Sequence, residues 1–230
     1  MHYGSSYFSK NGLSTIVPKN PLAESLLGNR ADFSFWDLKL VNLQYRCTKT
    51  FLNDCQLAED PCQNDGYTGP ACTCLCPPGT SGSRCETRVG DYTETLVQER
   101  FPHSARFTTP GVISSPGYPD NLPTGTGKYI QELKAPECHK VQLVFTEFVL
   151  MQRPDSPVPC LYQGLTLRLQ DPPIDSNVFC GRDIAPGRVF KSAGRSLVLN
   201  FVNYYPKTTP SKYRAEFIFI WNTEKCGEQE

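Results

Sequence analysis

Between residues 105 and 221, apolar and polar positions alternate with a period of two. In "VQLVF", Val141, Leu143 and Phe145 fall on one face, and "LTLRL" does the same with Leu165, Leu167 and Leu169. "LVLNF" contributes Leu197, Leu199 and Phe201, and "YRAEFIFIW" contributes Tyr213, Ala215, Phe217, Phe219 and Trp221. Side chains of a strand point alternately to its two faces, so each run predicts a strand with one buried side. The runs are separated by "SPGYPDNLP", "RPDSPVP", "QDPPIDS" and "YYPKTTP". Proline removes a backbone donor and fixes φ, so these connectors are turns rather than helices. The expected architecture is an antiparallel β sandwich.

A different period runs through "FSFWDLKLVNLQYRC". Ser34, followed three residues later by Asp37, has the form of a capping box and marks a helix start. Phe35, Leu38, Val41 and Tyr45 then share one helical face, and Cys47 closes the segment. Such a helix needs something to pack on, and residues 1–32 offer little.

Composition narrows the classes. Lys plus Arg is 23 and Asp plus Glu is 23, so the zero net charge gives no overall footprint for nucleic acid or an anionic membrane. No run of about 18 apolar residues occurs, so no membrane span is expected. There are 11 Cys, and "CQLAEDPCQNDGYTGPACTCLCPPGTSGSRC" holds those from Cys55 to Cys85 in a segment too short for a large core. Cross-links replace the core there, which points to an oxidising compartment. Zinc ligation is the alternative, but the single spacers between Cys72, Cys74 and Cys76 fit poorly with zinc-knuckle spacing. Met1 is followed by neither a basic region nor an apolar one, so the chain is expected to continue a longer secreted protein upstream.

"PCQNDGY" and "CTCLCPPGTSGSRC" resemble an EGF-like module. That resemblance implies the pairs Cys55–Cys72, Cys62–Cys74 and Cys76–Cys85. Asp54 alone precedes the first Cys, so no calcium is expected in it. "GVISSPGYPDNLP", "YIQELKAPE", "VQLVFTEF", "CLYQGLTLRL" and "FCGRD" resemble a CUB domain, a sandwich used for protein recognition, whose second disulfide falls on Cys160 and Cys180. Two departures stand out. "KYI" occupies the place of that domain's first Cys. Met151, Gln163 and Leu169 stand where many such domains carry calcium ligands, and calcium requires several oxygen donors. Cys138 precedes one strand and Cys226 follows the last, so these two are expected to pair. The alternative pairs Cys138 with Cys47 or an upstream Cys and leaves Cys226 free.

"MHY", "STIVPK" and "DLKLVNLQYRC" resemble the end of an astacin-type zinc metallopeptidase domain, and the order with EGF and CUB modules is that of nematode-type modular astacins. The resemblance makes Met1 the Met-turn residue and Tyr3 a fifth zinc ligand of the intact site, not functional in this chain. It pairs Cys47 with an upstream partner. A zincin also needs H-E-x-x-H, which places two His one helical turn apart on one metal. His2, His103 and His139 form no such pattern. No catalytic residue is therefore assigned within the chain, and zinc is expected only in the intact parent. Carboxylates in the loops are read as solvated.

The expected fold is multidomain, with these parts: 1–48, a coil plus one helix from the end of an astacin-like catalytic domain; 49–87, a small disulfide-rich EGF-like module; 88–104, a linker; and 105–226, an all-β CUB sandwich. The expected function is that of a C-terminal fragment of a secreted, extracellular zinc metalloendopeptidase, with modules that recognise protein substrates or matrix proteins and no nucleic acid. The alternative is a non-catalytic secreted adhesion or scaffold protein.

Overall fold

In the computed structural model, residues 3–10, 13–30, 32–151, 160, 162–170, 177–203 and 210–227 are described. The chain divides into two compact units. One comprises 1–5 and 26–100; the other comprises 6–25 and 101–230. This grouping differs from the expected division, because 6–25 go with the sandwich.

The first unit contains helices α1 (Phe35–Gln44), α2 (Cys47–Asp54) and α3 (Tyr92–Arg100) and two small hairpins. The hairpins pair β1 (Tyr67–Thr68) with β2 (Cys74–Leu75) and β3 (Thr80–Ser81) with β4 (Thr87–Arg88). Disulfides Cys55–Cys72, Cys62–Cys74 and Cys76–Cys85 hold this module together. Its interior is so tight that a Cβ on Gly66 would lie 2.5 Å from Cys85 Sγ. Asp60 accepts hydrogen bonds from Thr68 N at 3.2 Å and Thr68 Oγ1 at 2.9 Å, tying the first loop to β1.

Ser34 caps α1: its Oγ accepts from Asp37 N at 3.1 Å, and Asp37 Oδ2 accepts from Ser34 N at 3.0 Å. The expected single helix ends early. Arg46 adopts φ 58°, which breaks the helix and makes Cys47 the first residue of α2 rather than the end of α1. The stretch read as a linker also contains α3, whose Leu96 and Val97 are buried. Its apolar positions are few, so helical periodicity gave no signal there.

The second unit is a two-sheet sandwich. One sheet has the order β10 (Asn177–Phe179), β9 (Gln163–Arg168), β12 (Ser196–Asn203), β7 (Tyr129–Lys134), β5 (Ala105–Phe107). The other has the order β11 (Val189–Lys191), β8 (His139–Val149), β13 (Lys212–Trp221), β6 (Gly111–Ser114). All pairs are antiparallel except β5 with β7, which is parallel and departs from the purely antiparallel expectation. Val141, Leu143, Phe145, Leu165, Leu167, Leu197, Leu199, Phe201, Tyr213, Ala215 and Phe217 form the core with their neighbours. Leu169 and Phe219 pack at its margin. Inside it, Tyr129 Oη donates to Tyr213 Oη at 2.9 Å, and Tyr213 Oη donates to Gln131 Oε1 at 2.9 Å. A short helix, α4 (Thr223–Cys226), follows the last strand.

Candidate functional site

One face of the five-stranded sheet packs into the core. The other face would be expected to meet water, as antiparallel sheets commonly allow. Instead, Ile130, Glu132, Thr166, Arg168, Val198 and Ser196 on that face are buried. The register aligns Arg168, Val198, Glu132 and Arg106 across four strands. Glu132 Oε2 lies 2.7 Å from Arg106 Nε, and Ser196 Oγ donates to Glu132 Oε1 at 2.8 Å.

Residues 13–25 lie on this row. Pro21, Leu22, Glu24 and Ser25 are buried in a 3-10 helix, Pro21–Leu26. Glu24 Oε2 pairs with Arg168 Nη1, and these side chains are 4% and 0% exposed. Ser14 Oγ donates to Glu24 Oε1 at 3.0 Å, and Asn200 Nδ2 donates to the same oxygen at 3.3 Å. Arg168 Nη2 donates to Ser14 Oγ at 3.3 Å, and Arg106 Nη2 donates to Asn20 Oδ1 at 3.1 Å. Charges this deep persist only when paired and hydrogen-bonded. Glu24 is therefore a structural anchor, which corrects its reading as a solvated loop carboxylate.

Beside this strap lies a cleft of about 220 Å³. Lys19 and Pro21 form its strap side, Lys134, Ser196 and Arg195 its sheet side, and His139, Asn222, Lys225 and the Cys138–Cys226 bridge its end. That bridge follows from the antiparallel pairing of β8 with β13, in which His139 faces Trp221. The two Cα atoms are 5.6 Å apart, inside ordinary disulfide reach.

Met1 and His2 lie outside the described residues. Tyr3 is exposed. Gly28 holds φ +73 so closely against Gly4 that a Cβ would lie 2.7 Å from Gly4 Cα. His103 stacks edge-on to Tyr129, and His139 edge-on to Trp221, and among the described residues neither belongs to a group of three or more His, Cys, Asp or Glu that could hold a metal ion. The only grouping of His, Cys, Asp or Glu among the described residues is Cys160, Cys180 and Asp183. Cys160 and Cys180 form a disulfide, so their sulfurs cannot act as thiolate ligands. This donor set does not fit a catalytic zinc. Gln163 is buried, and its Oε1 accepts from Met151 N at 2.6 Å and Ser211 Oγ at 2.6 Å. It thus acts as a neutral tie between loops. Glu147 is held below the usual carboxylate range by the hydrogen bond from Lys212, then by that from Tyr118.

Residues 1–46 match the model of the peptidase family described as Astacin. They are astacin-family sequence. Over 224 residues the chain is 32% identical to "Blastula protease 10" of Paracentrotus lividus, covering 96% of this chain and 34% of that protein. It is 29% identical over 223 residues to "Protein SpAN" of Strongylocentrotus purpuratus, covering 97% and 34%. "Zinc metalloproteinase nas-36" of Brugia malayi is 35% identical over 135 residues, covering 54% and 20%. The chain thus spans about a third of the length of the first two relatives. Among solved structures, the "CUB1-EGF-CUB2 domains of rat MASP-1" are similar at 22% identity and TM-score 0.42, covering 56% of this chain and 47% of that one. The astacin-family segment contributes to both compact units: its strap joins the sandwich, and α1 joins the disulfide module.

Sequence reasoning missed the strap, Arg168 and the cleft. The available signal was a single arginine in the "LTLRL" run, at an alternate position where a lone charge looks solvent-facing.

Proposed function

We propose that this chain is the C-terminal, non-catalytic part of a secreted astacin-like zinc metalloendopeptidase. Its disulfide module is EGF-like and its sandwich is CUB-like, and together they hold protein substrates or matrix partners for a catalytic centre elsewhere in the parent. The observation that carries this reading is α1. Its half-buried positions include Lys39 and Asn42, which reach Asp65 O at 2.8 Å and Tyr67 Oη at 3.2 Å. Its apolar residues Leu38, Leu40, Val41 and Leu43 are exposed, by 46 to 63%. Phe35, whose ring centroid lies 5.7 Å from that of Tyr67, joins Lys39 and Asn42 on the inward side, while the four exposed apolar residues spread over the rest of the helix, a load that a surface helix ordinarily buries. Cys47, at the start of the next helix, forms no disulfide among the described residues. A helix with so many exposed apolar residues and a nearby Cys outside any described disulfide fits a segment whose covering domain and disulfide partner belong to further astacin sequence.

No step of peptide hydrolysis is assigned to residues of this chain, because its three His do not form H-E-x-x-H. Zinc chemistry belongs to the parent. The adhesion-protein reading is the less favoured, since a relative named as a protease aligns with 96% of the chain.

The test compares the 230-residue protein with the longer product of the same transcript. We expect stoichiometric zinc and cleavage of a protein substrate from the longer product only. Stoichiometric zinc with peptidase activity in the 230-residue protein would refute the reading. So would an in-frame upstream sequence lacking H-E-x-x-H, which would favour the adhesion reading.

A further inference from the structure

We propose that the cleft beside the strap is a binding site for an anionic saccharide, a sugar chain carrying sulfate or carboxylate groups. This inference does not depend on the peptidase reading. Four lining residues, Lys19, Lys134, Arg195 and Lys225, are cationic, and one, Glu132, is anionic. Glu132 pairs chiefly with Arg106, 2.7 Å away, and more loosely with Lys134 at 3.9 Å, which leaves the cleft a positive excess. In a chain of zero net charge, the cleft is a local concentration of positive charge. Exposed carboxylates are near but do not fill it: Glu137 pairs with Arg195 at 3.6 Å, Glu224 pairs with Lys140 at 3.4 Å, and both carboxylates are solvated. A multivalent anion can displace such solvated partners at little cost.

The positive charge explains an anion, and Asn222 points to a saccharide. Asn222 lines the cleft and is 1% exposed. Its Nδ2 donates to Ala193 O at 3.3 Å, while its Oδ1 is buried with no hydrogen-bond partner among the described residues. A buried acceptor left unmatched is costly, and a ligand donor removes that cost. Sulfate offers acceptors only; a sugar offers hydroxyl donors beside its anionic groups. His139 completes the setting, because its ring is braced edge-on by Trp221 at 5.3 Å and can flank an apolar sugar face. At about 220 Å³ the cleft is smaller than the ~300–1,000 Å³ pockets that enclose drug-sized ligands, which suits one ring of a longer chain.

The cleft is composite. Lys19 comes from the astacin-family strap, Lys134 and Arg195 from the sheet region, and Lys225 from α4. Guanidinium and ammonium groups on separate elements, held by a buried ion pair and a disulfide, are preorganised for an anion at low ordering cost.

Isothermal titration of the 230-residue protein with a heparin-derived hexasaccharide tests the proposal, with a desulfated hexasaccharide, inorganic sulfate and poly-glutamate as comparison ligands. We expect heparin hexasaccharide to bind with marked salt dependence and the other three at least about tenfold more weakly. Lys134→Glu with Arg195→Glu should lower affinity about tenfold or more and reduce the salt slope by about two, as charge contacts are lost. The side chains are 40% and 46% exposed, but Lys134 pairs with Glu132 at 3.9 Å and Arg195 Nε donates to Ala135 O at 3.1 Å, so the melting temperature checks that each variant stays folded. Lys134→Gln with Arg195→Gln serves as a milder pair. Asn222→Leu should weaken binding without changing the salt slope. Lys49→Glu with Arg100→Glu, an equal charge change in the other unit, should leave binding within about twofold. An equal loss in that control, no loss in either cleft variant, or equal binding of poly-glutamate would overturn the assignment.

Discussion

Replacing Glu24 by Ala should loosen the strap from the sandwich. The carboxylate is buried and serves Arg168, Ser14 and Asn200 together. Its removal leaves the fully buried Arg168 guanidinium without its counter-charge. Breaking a buried pair from one side costs about 3–5 kcal/mol, most of it the penalty of the stranded charge. The sandwich unit has about 150 residues, for which each kcal/mol shifts the melting temperature by roughly 2–4 °C. The expected drop is therefore roughly 6–20 °C in calorimetry. Trypsin should also cut faster at Lys19. Glu216→Ala is the control, because its pair with Arg214 at 2.8 Å is on the surface, with Glu216 54% exposed, and should contribute at most about 1 kcal/mol. Glu24→Leu combined with Arg168→Met removes both charges and should recover most of the loss. A Glu24→Ala melting point within about 2 °C of the unsubstituted protein, or a double variant no more stable than the single one, would refute the buried-latch reasoning.

The paired core tyrosines should make the sandwich alkali-sensitive. Burial raises both Tyr129 and Tyr213 above the ordinary phenol value, so the folded state keeps protons that the unfolded state sheds. Their contribution is complete below about pH 10 and is lost as pH climbs above it. Of the 11 Tyr, these two should ionise only with loss of circular dichroism; a single tyrosinate midpoint with native dichroism retained would contradict this. Replacing Cys138 and Cys226 by Ala opens a loop of 88 residues and should cost about 4–5 kcal/mol, read from the denaturant midpoint and slope together, because the uncrosslinked unfolded chain exposes more surface; a loss under about 1 kcal/mol would count against it. Ser34→Ala removes the α1 cap and should cost about 1 kcal/mol, with amide exchange rising in α1 first; unchanged exchange there would remove the cap from the account.

The local patterns in the sequence carried the strands and the capped helix start. Period-two alternation placed Val141, Leu143, Phe145, Leu197, Leu199 and Phe201 on the inner face, because strand geometry alone assigns faces. Ser34 and Asp37 marked the start of α1, since a capping box is complete within four residues. The tertiary structure decided everything that depends on what lies over a face. Arg168 looks like an outward charge in "LTLRL" until residues 13–25 cover it. Ser14 and Asn200, which share Glu24, are 10 and 176 residues away from it, and no local pattern encodes such a meeting. The same holds for α1: its period put Phe35, Leu38, Val41 and Tyr45 on one face, but packing takes Phe35 against Tyr67 and leaves the other three exposed. Cleft charges from the strap, the sheet and α4 likewise converge only through long-range packing. A periodic pattern reports a segment's own geometry; the burial of a charge reports its partners, and these are chosen by the whole fold.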